Sequence, residues 1–189
     1  MNSKNKKVLF ILPHSDFRDK EYTWIKERLD EVGITSEIAS SHLSEIKGQF
    51  GTLLTPDTLL SYVSSGDYDA FIFVGEEAAK EYYADPEVTR LVTDALITHK
   101  LVAAVGFAVP ILTFSGQLTG RKVTGPDSIQ REVEDAGAFY TGRLIEIDGD
   151  VITAHNPYSV RELAESIIKA LEWSSIEGTE GTTGRPYLR

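Results

Sequence analysis

The chain has 189 residues, 41% of them hydrophobic, with a formal net charge of −10. That length buries one substantial core and is too short for two ordinary domains, and the negative charge argues against nucleic acid or an anionic membrane as partner. The sequence contains no cysteine, which excludes disulfides, thiolate metal sites and any mechanism with a cysteine nucleophile.

From the N-terminus, Lys4, Lys6 and Lys7 flank "VLFIL" (8–12), an apolar run far too short for a secretory or spanning segment, so the expected location is cytoplasmic. "VLFIL", the "ITSEIAS" region, "AFIFV" (70–74) and "LVAAV" (101–105) read as strands, most too uniformly apolar to have a wet face. Strands of that kind belong to a parallel sheet covered on both sides. Between them, Tyr22, Ile25, Leu29 and Val32 recur at helical spacing before Gly33. A second helix opens at Asp85-Pro86, an N-cap followed by proline at the first helical position, with Val88, Leu91, Val92, Ala95 and Leu96 on one stripe.

After "LVAAV" the apolar run stops at Gly106, where a sharp strand-to-helix turn is expected. "GRKVTG" then reads as a short strand, and Ile129, Val133 and Ala136 mark a helix ending at Gly137. "RLIEIDGDVITAH" reads as a hairpin turning at Asp148-Gly149. Ser159 and Glu162 have the spacing of a capping box for a closing helix with Val160, Leu163, Ala164, Ile167, Ile168 and Leu171 on its buried side. The alternation predicts a three-layer α/β/α sandwich over residues 1–173, with 174–189 a flexible tail.

The order and spacing of "KVLFIL", "DFRDKEY", "YDAFIFVG", "DPEVTRLV", "LVAAVG", "GRKVTG", "VEDAGAFY" and "DGDVITAHNP" resemble the DJ-1/PfpI (ThiJ/PfpI) family, whose fold is flavodoxin-like, of the class I glutamine amidotransferase type. The resemblance runs from about Lys7 to Leu171. Many members carry an acidic residue after the first strand, a cysteine at the elbow and a histidine directly after it. By that resemblance the acidic residue is Glu21, the elbow position is Gly106 and the following position is Phe107. The turn after "AFIFV", which supplies oxyanion-hole amides in such enzymes, reads Gly75-Glu76-Glu77, and a carboxylate there opposes an oxyanion.

These residues define a candidate pocket of His14, Asp16, Glu21, Gly75, Glu76, Gly106, Phe107 and His155. Glycine at the elbow reads either as a tight turn or as room for a ligand, and Glu21 either as a pocket carboxyl or as a first-turn surface residue paired with Arg18 or Lys20. Ser15, Ser115 and Ser128 form no G-x-S-x-G pattern, and His14, Glu21, Glu76 and His155 have no recognised metal spacing. Neither metal nor cofactor is expected.

Two functions stay open. One is a catalytically inactive module that binds a small molecule of unknown identity or serves a structural role. The other is a hydrolase or lyase on small aldehydes or amides, using Glu21 with a histidine and an activated water. The resemblance implies a homodimer or larger homo-oligomer, and Tyr82 and Tyr83 read as aromatics that either pack or mark a subunit contact.

Overall fold

The computed structural model describes residues 5–177. In chain order the regular elements are β1 (Lys7–Ile11), β2 (Ser15–Phe17), α1 (Asp19–Glu31), β3 (Thr35–Ser40), β4 (Ile46–Gly48), β5 (Leu53–Leu54), β6 (Thr58–Leu59) and β7 (Ala70–Phe73). There follow α2 (Pro86–Ile97), β8 (Leu101–Val105), β9 (Lys122–Val123), α3 (Gln130–Asp135), β10 (Phe139–Tyr140), β11 (Ile145–Asp148), β12 (Val151–Ala154) and α4 (Val160–Glu177). The central sheet has the order β11-β12-β8-β7-β1-β3-β6, and every pairing in it is parallel except β11 with β12. The predicted sandwich is the observed one.

Alternation along the strands assigns the two cores. Val8, Phe10, Ile72, Ala103 and Val105 pack against Tyr22, Ile25 and Leu29 of α1 and Leu163 and Ile167 of α4. Leu9, Ile11, Phe71, Phe73 and Val102 face the opposite way, onto Val88, Leu91, Val92 and Ala95 of α2. Strands with both faces covered need no polar alternation, which is why they read as unbroken apolar runs. At about 1.5–3 kcal/mol per fully buried large side chain, these two layers supply the main stabilisation.

The predicted helix starts fared unequally. Asp85 caps α2 as expected, its Oδ1 accepting from the amides of Glu87 at 2.9 Å and Val88 at 3.0 Å. The capping box at Ser159 is not formed. Asn156 instead caps a 3-10 turn, Pro157–Ser159, that leads into α4, and the buried Ser159 hydroxyl has no hydrogen-bond partner. Gly106 opens a 3-10 segment, Gly106–Ser115, where a regular helix was expected. Pro110 inside it lacks the amide an α-helix needs at that position. α4 continues through Glu177, so residues 174–177 of the expected tail are helical, and the rest of that tail lies outside the described residues.

Two small sheets, β2-β4-β5 and β9-β10, escaped prediction except for the strand at "GRKVTG". Strands of two or three residues are too short to show a period. Among the described residues, no helix is long and apolar enough to cross a membrane.

Candidate functional site

The C-terminal ends of β1, β7, β8 and β12 lie side by side, the edge at which open α/β sheets build ligand sites. Gly106 follows β8 with φ +60°, a left-handed conformation that glycine adopts freely and that costs other residues about 1–3 kcal/mol. A Cβ built there would meet nothing closer than Glu21 Oε1 and Glu76 Oε2, each at 4.0 Å. The glycine at the end of β7 is different, since a Cβ on Gly75 would lie 2.9 Å from the Pro13 ring. Crowding requires glycine at 75. At 106 only the backbone angle favours it, and a Cβ there would make ordinary contacts with the two carboxylates.

Glu21, in the first turn of α1, is completely buried. Its Oε2 accepts the Gly75 amide at 3.3 Å, while its Oε1 has no hydrogen-bond partner. Burial pushes the carboxyl up to about 8, with the Glu76 charge adding to the rise and the Gly75 amide and Arg18 opposing it. At neutral pH Glu21 is therefore mainly a neutral acid. Because Oε2 already accepts, the proton belongs on Oε1, the atom facing the space over Gly106.

Glu76 forms the other flank. Its backbone has φ +52°, an uncommon conformation for a residue with a side chain, and its carboxylate is held by Arg18 Nη1 at 2.9 Å. Arg18 is the site residue that sequence reasoning misplaced, having been considered only as a surface partner of Glu21. Its actual partner comes from a segment 58 positions away in the chain, beyond the reach of any local pattern. Phe107 points away from a catalytic role: its carbonyl accepts the Tyr83 hydroxyl at 2.7 Å, and Lys80 Nζ lies 5.1 Å from its ring centre.

The other expected members are more scattered. His14 is exposed and pairs through Nδ1 with Glu81, and Asp16 is exposed with φ +56°. His155 follows Ala154, which is in register with Val105, so it lies just past the end of β12, level with Gly106. Its Nδ1 is buried without a partner. Glu21, Gly75, Glu76 and Gly106 thus form the compact site, with Arg18 behind it. A groove of about 1150 Å³ between α1, α4 and β11, lined by residues such as Trp24, Arg143 and Arg161, includes none of the candidate residues. The chemistry argues for the small elbow site over the larger groove. Among the described residues, no group of three or more His, Asp or Glu is arranged to hold a metal ion.

The model of the DJ-1/PfpI family matches residues 6–170. The chain belongs to the DJ-1/PfpI family. Among relatives, an uncharacterized protein of Methanocaldococcus jannaschii is 32% identical, over 90% of this chain and 85% of that protein. A deglycase of Thermococcus kodakarensis is 29% identical, over 87% of this chain and 99% of its own length. The crystal structure of a ThiJ/PfpI domain protein from Brachyspira murdochii superposes with a TM-score of 0.86 at 24% identity, covering 90% of this chain and 98% of that one. This DJ-1/PfpI chain has a carboxyl at its elbow and no thiol anywhere.

Proposed function

We propose that this DJ-1/PfpI protein is a noncovalent binding module, in which the elbow has become the floor of a small-molecule site. One observation carries the reading: the unpartnered, fully buried Glu21 Oε1 faces the position over Gly106, at 4.0 Å from where a Cβ would stand. A buried polar atom without a partner is costly, and a ligand oxygen accepting from Glu21 would remove that cost. The ligand class is a small molecule with a carbonyl or amide oxygen. Glu76 and Arg18, which keep 20% and 31% of their side chains exposed, form the mouth.

Turnover through a relocated acid is the second reading, favoured by the Glu21 carboxyl being pushed up to about 8, where a general acid works near neutral pH. Of its two expected histidine partners, His14 is paired with Glu81, while His155, past the end of β12, keeps an unpartnered Nδ1. The expected result is no hydrolysis or lyase turnover of small aldehydes and amides above background. A carbonyl or amide compound in a thermal-shift screen should raise the melting temperature of wild type and not of Gly106→Val, which fills the site. Turnover by wild type that Glu21→Gln abolishes would establish the acid-catalysed reading.

We also propose that the chain assembles as a homodimer. Tyr82 cannot supply the contact, because it is buried, and Tyr83 is only half-exposed. Phe50 and Leu53, 74% and 54% exposed on and beside the β4-β5 hairpin, are better placed. Light scattering at high micromolar concentration should give twice the chain mass, and a Phe50→Glu, Leu53→Glu variant should give the monomer mass. A monomer for wild type would overturn the assembly.

A further inference from the structure

A second constellation lies at the same sheet edge and is not used by the elbow site. β1 and β3 are parallel neighbours whose last registered pair is Ile11 with Ala39. His14 and His42 each lie three residues beyond that pair, so the register carries the two imidazoles outward together. Their ring centres are 6.1 Å apart.

The support beneath them is built. Tyr82, buried at the end of the 3-10 segment Glu76–Tyr82, donates its hydroxyl to the Leu12 carbonyl at 2.6 Å and accepts the Ser41 amide at 3.2 Å. This ties the segment to the ends of both strands and brings Glu81 to His14 and Ser41. Glu81 accepts the His14 amide at 3.1 Å through Oε1 and pairs with His14 Nδ1 through Oε2.

The hydrogen-bond chain accommodates one pair of tautomers suited to a metal ion. A carboxylate only accepts, so His14 Nδ1 carries the proton and Nε2 keeps its lone pair. Ser15 Oγ, 3.5 Å from that Nε2, spends its own hydrogen on Asp16 at 3.2 Å. On the other side, Ser41 Oγ lies 2.9 Å from His42 Nδ1 and 3.5 Å from Glu81 Oε1, and in the tautomer where Ser41 donates to Glu81 and accepts from His42 Nδ1, His42 Nε2 keeps its lone pair as well. Glu81 thus contacts one ring directly and the other through a serine. Carboxylate-backed imidazoles presenting Nε2 are the arrangement that metal-binding histidines adopt.

The geometry points to a two-histidine site for a borderline divalent cation of the zinc, cobalt or nickel type, with His14 Nε2 and His42 Nε2 as ligands, Glu81 as the orienting carboxylate and water in the remaining positions. With metal–nitrogen distances of about 2.0–2.1 Å, two rings on one tetrahedral ion stand roughly 5 Å apart centre to centre. The present 6.1 Å closes by a small turn of exposed side chains, His14 being 58% exposed. Two protein ligands leave the ion open to a further ligand.

The test is calorimetric titration of the untagged, chelator-stripped full chain with Zn²⁺, on wild type, His14→Ala, His42→Ala and Glu81→Gln. The expected result is one equivalent bound per chain, with affinity falling at least tenfold in each histidine variant and about 10–100-fold in Glu81→Gln. Circular dichroism separates loss of the site from loss of fold, and should be unchanged in the two exposed-histidine variants. Absence of saturable binding below millimolar Zn²⁺, or binding unchanged by either histidine substitution, would overturn the site.

Discussion

Glu21→Gln is expected to be more stable than wild type at pH 8, by roughly 4 kcal/mol, and about equal to it at pH 4.5. The folded carboxyl ionises at about 8, against 4.5 for an ordinary glutamate, because burial and the Glu76 charge both penalise the anion. Below the unfolded value, both states carry the proton and Glu21 costs nothing relative to an amide. As pH rises, the unfolded chain ionises first, so stability is lost progressively until the folded group also ionises near pH 8. Glutamine reproduces the neutral acid, with an oxygen for the Gly75 amide and a donor facing the space over Gly106, and does not titrate. Urea unfolding of both proteins between pH 4.5 and 8.5 measures the effect. Parallel stability curves would mean that Glu21 is ionised in the folded protein, and would remove the donor on which the proposed site depends.

Gly106→Cys should lose about 1–3 kcal/mol of stability, because a residue with a Cβ must now hold φ +60°. The thiol it introduces should ionise below the free value of about 8.5. Two influences compete at the new sulfur. The Glu76 carboxylate, 4.0 Å from the Cβ position, opposes a thiolate, although Arg18 offsets much of its charge. The Glu21 acid, equally close and carrying its proton on the unpartnered oxygen, donates to a thiolate and stabilises it. The short-range hydrogen bond outweighs the partly neutralised charge. In the double variant with Glu21→Ala the thiol pKa should rise, and with Glu76→Gln it should fall, as read from the pH dependence of alkylation. Values at or above 8.5 with no response to either partner would show that the elbow does not present this position to Glu21.

Both effects depend on a carboxyl whose environment no local pattern announces. Glu21 was legible as a candidate because it follows the first strand in "DFRDKEY". Its protonation was not, since the amide that binds it belongs to Gly75, 54 residues along the chain. The same holds for Tyr82, which read as a packing or contact aromatic beside Tyr83 and is a buried strut between β1 and β3. A Tyr-Tyr pair in a 3-10 segment has no helical period to say which ring turns inward. Ser159 failed for a related reason: the capping spacing was present, but Asn156-Pro157 started a 3-10 turn ahead of it and took the role.

What the sequence by itself determined is the set of elements and their faces. Unbroken apolar runs could only be parallel strands covered on both sides, Asp85-Pro86 could only open a helix, and Asp148-Gly149 sat where the hairpin turns. Those signals are local, because side-chain direction repeats every two residues in a strand and every 3.6 in a helix. What only the tertiary structure decided is which side chains meet at the sheet edge: Glu21 with Gly75 and Gly106, Arg18 with Glu76, His14 with Glu81 and His42. These meetings follow from the strand order β8-β7-β1-β3 and from register, which are set by how two whole hydrophobic layers close over the sheet. No single segment carries that information, so the elements could be read one at a time and the site could not.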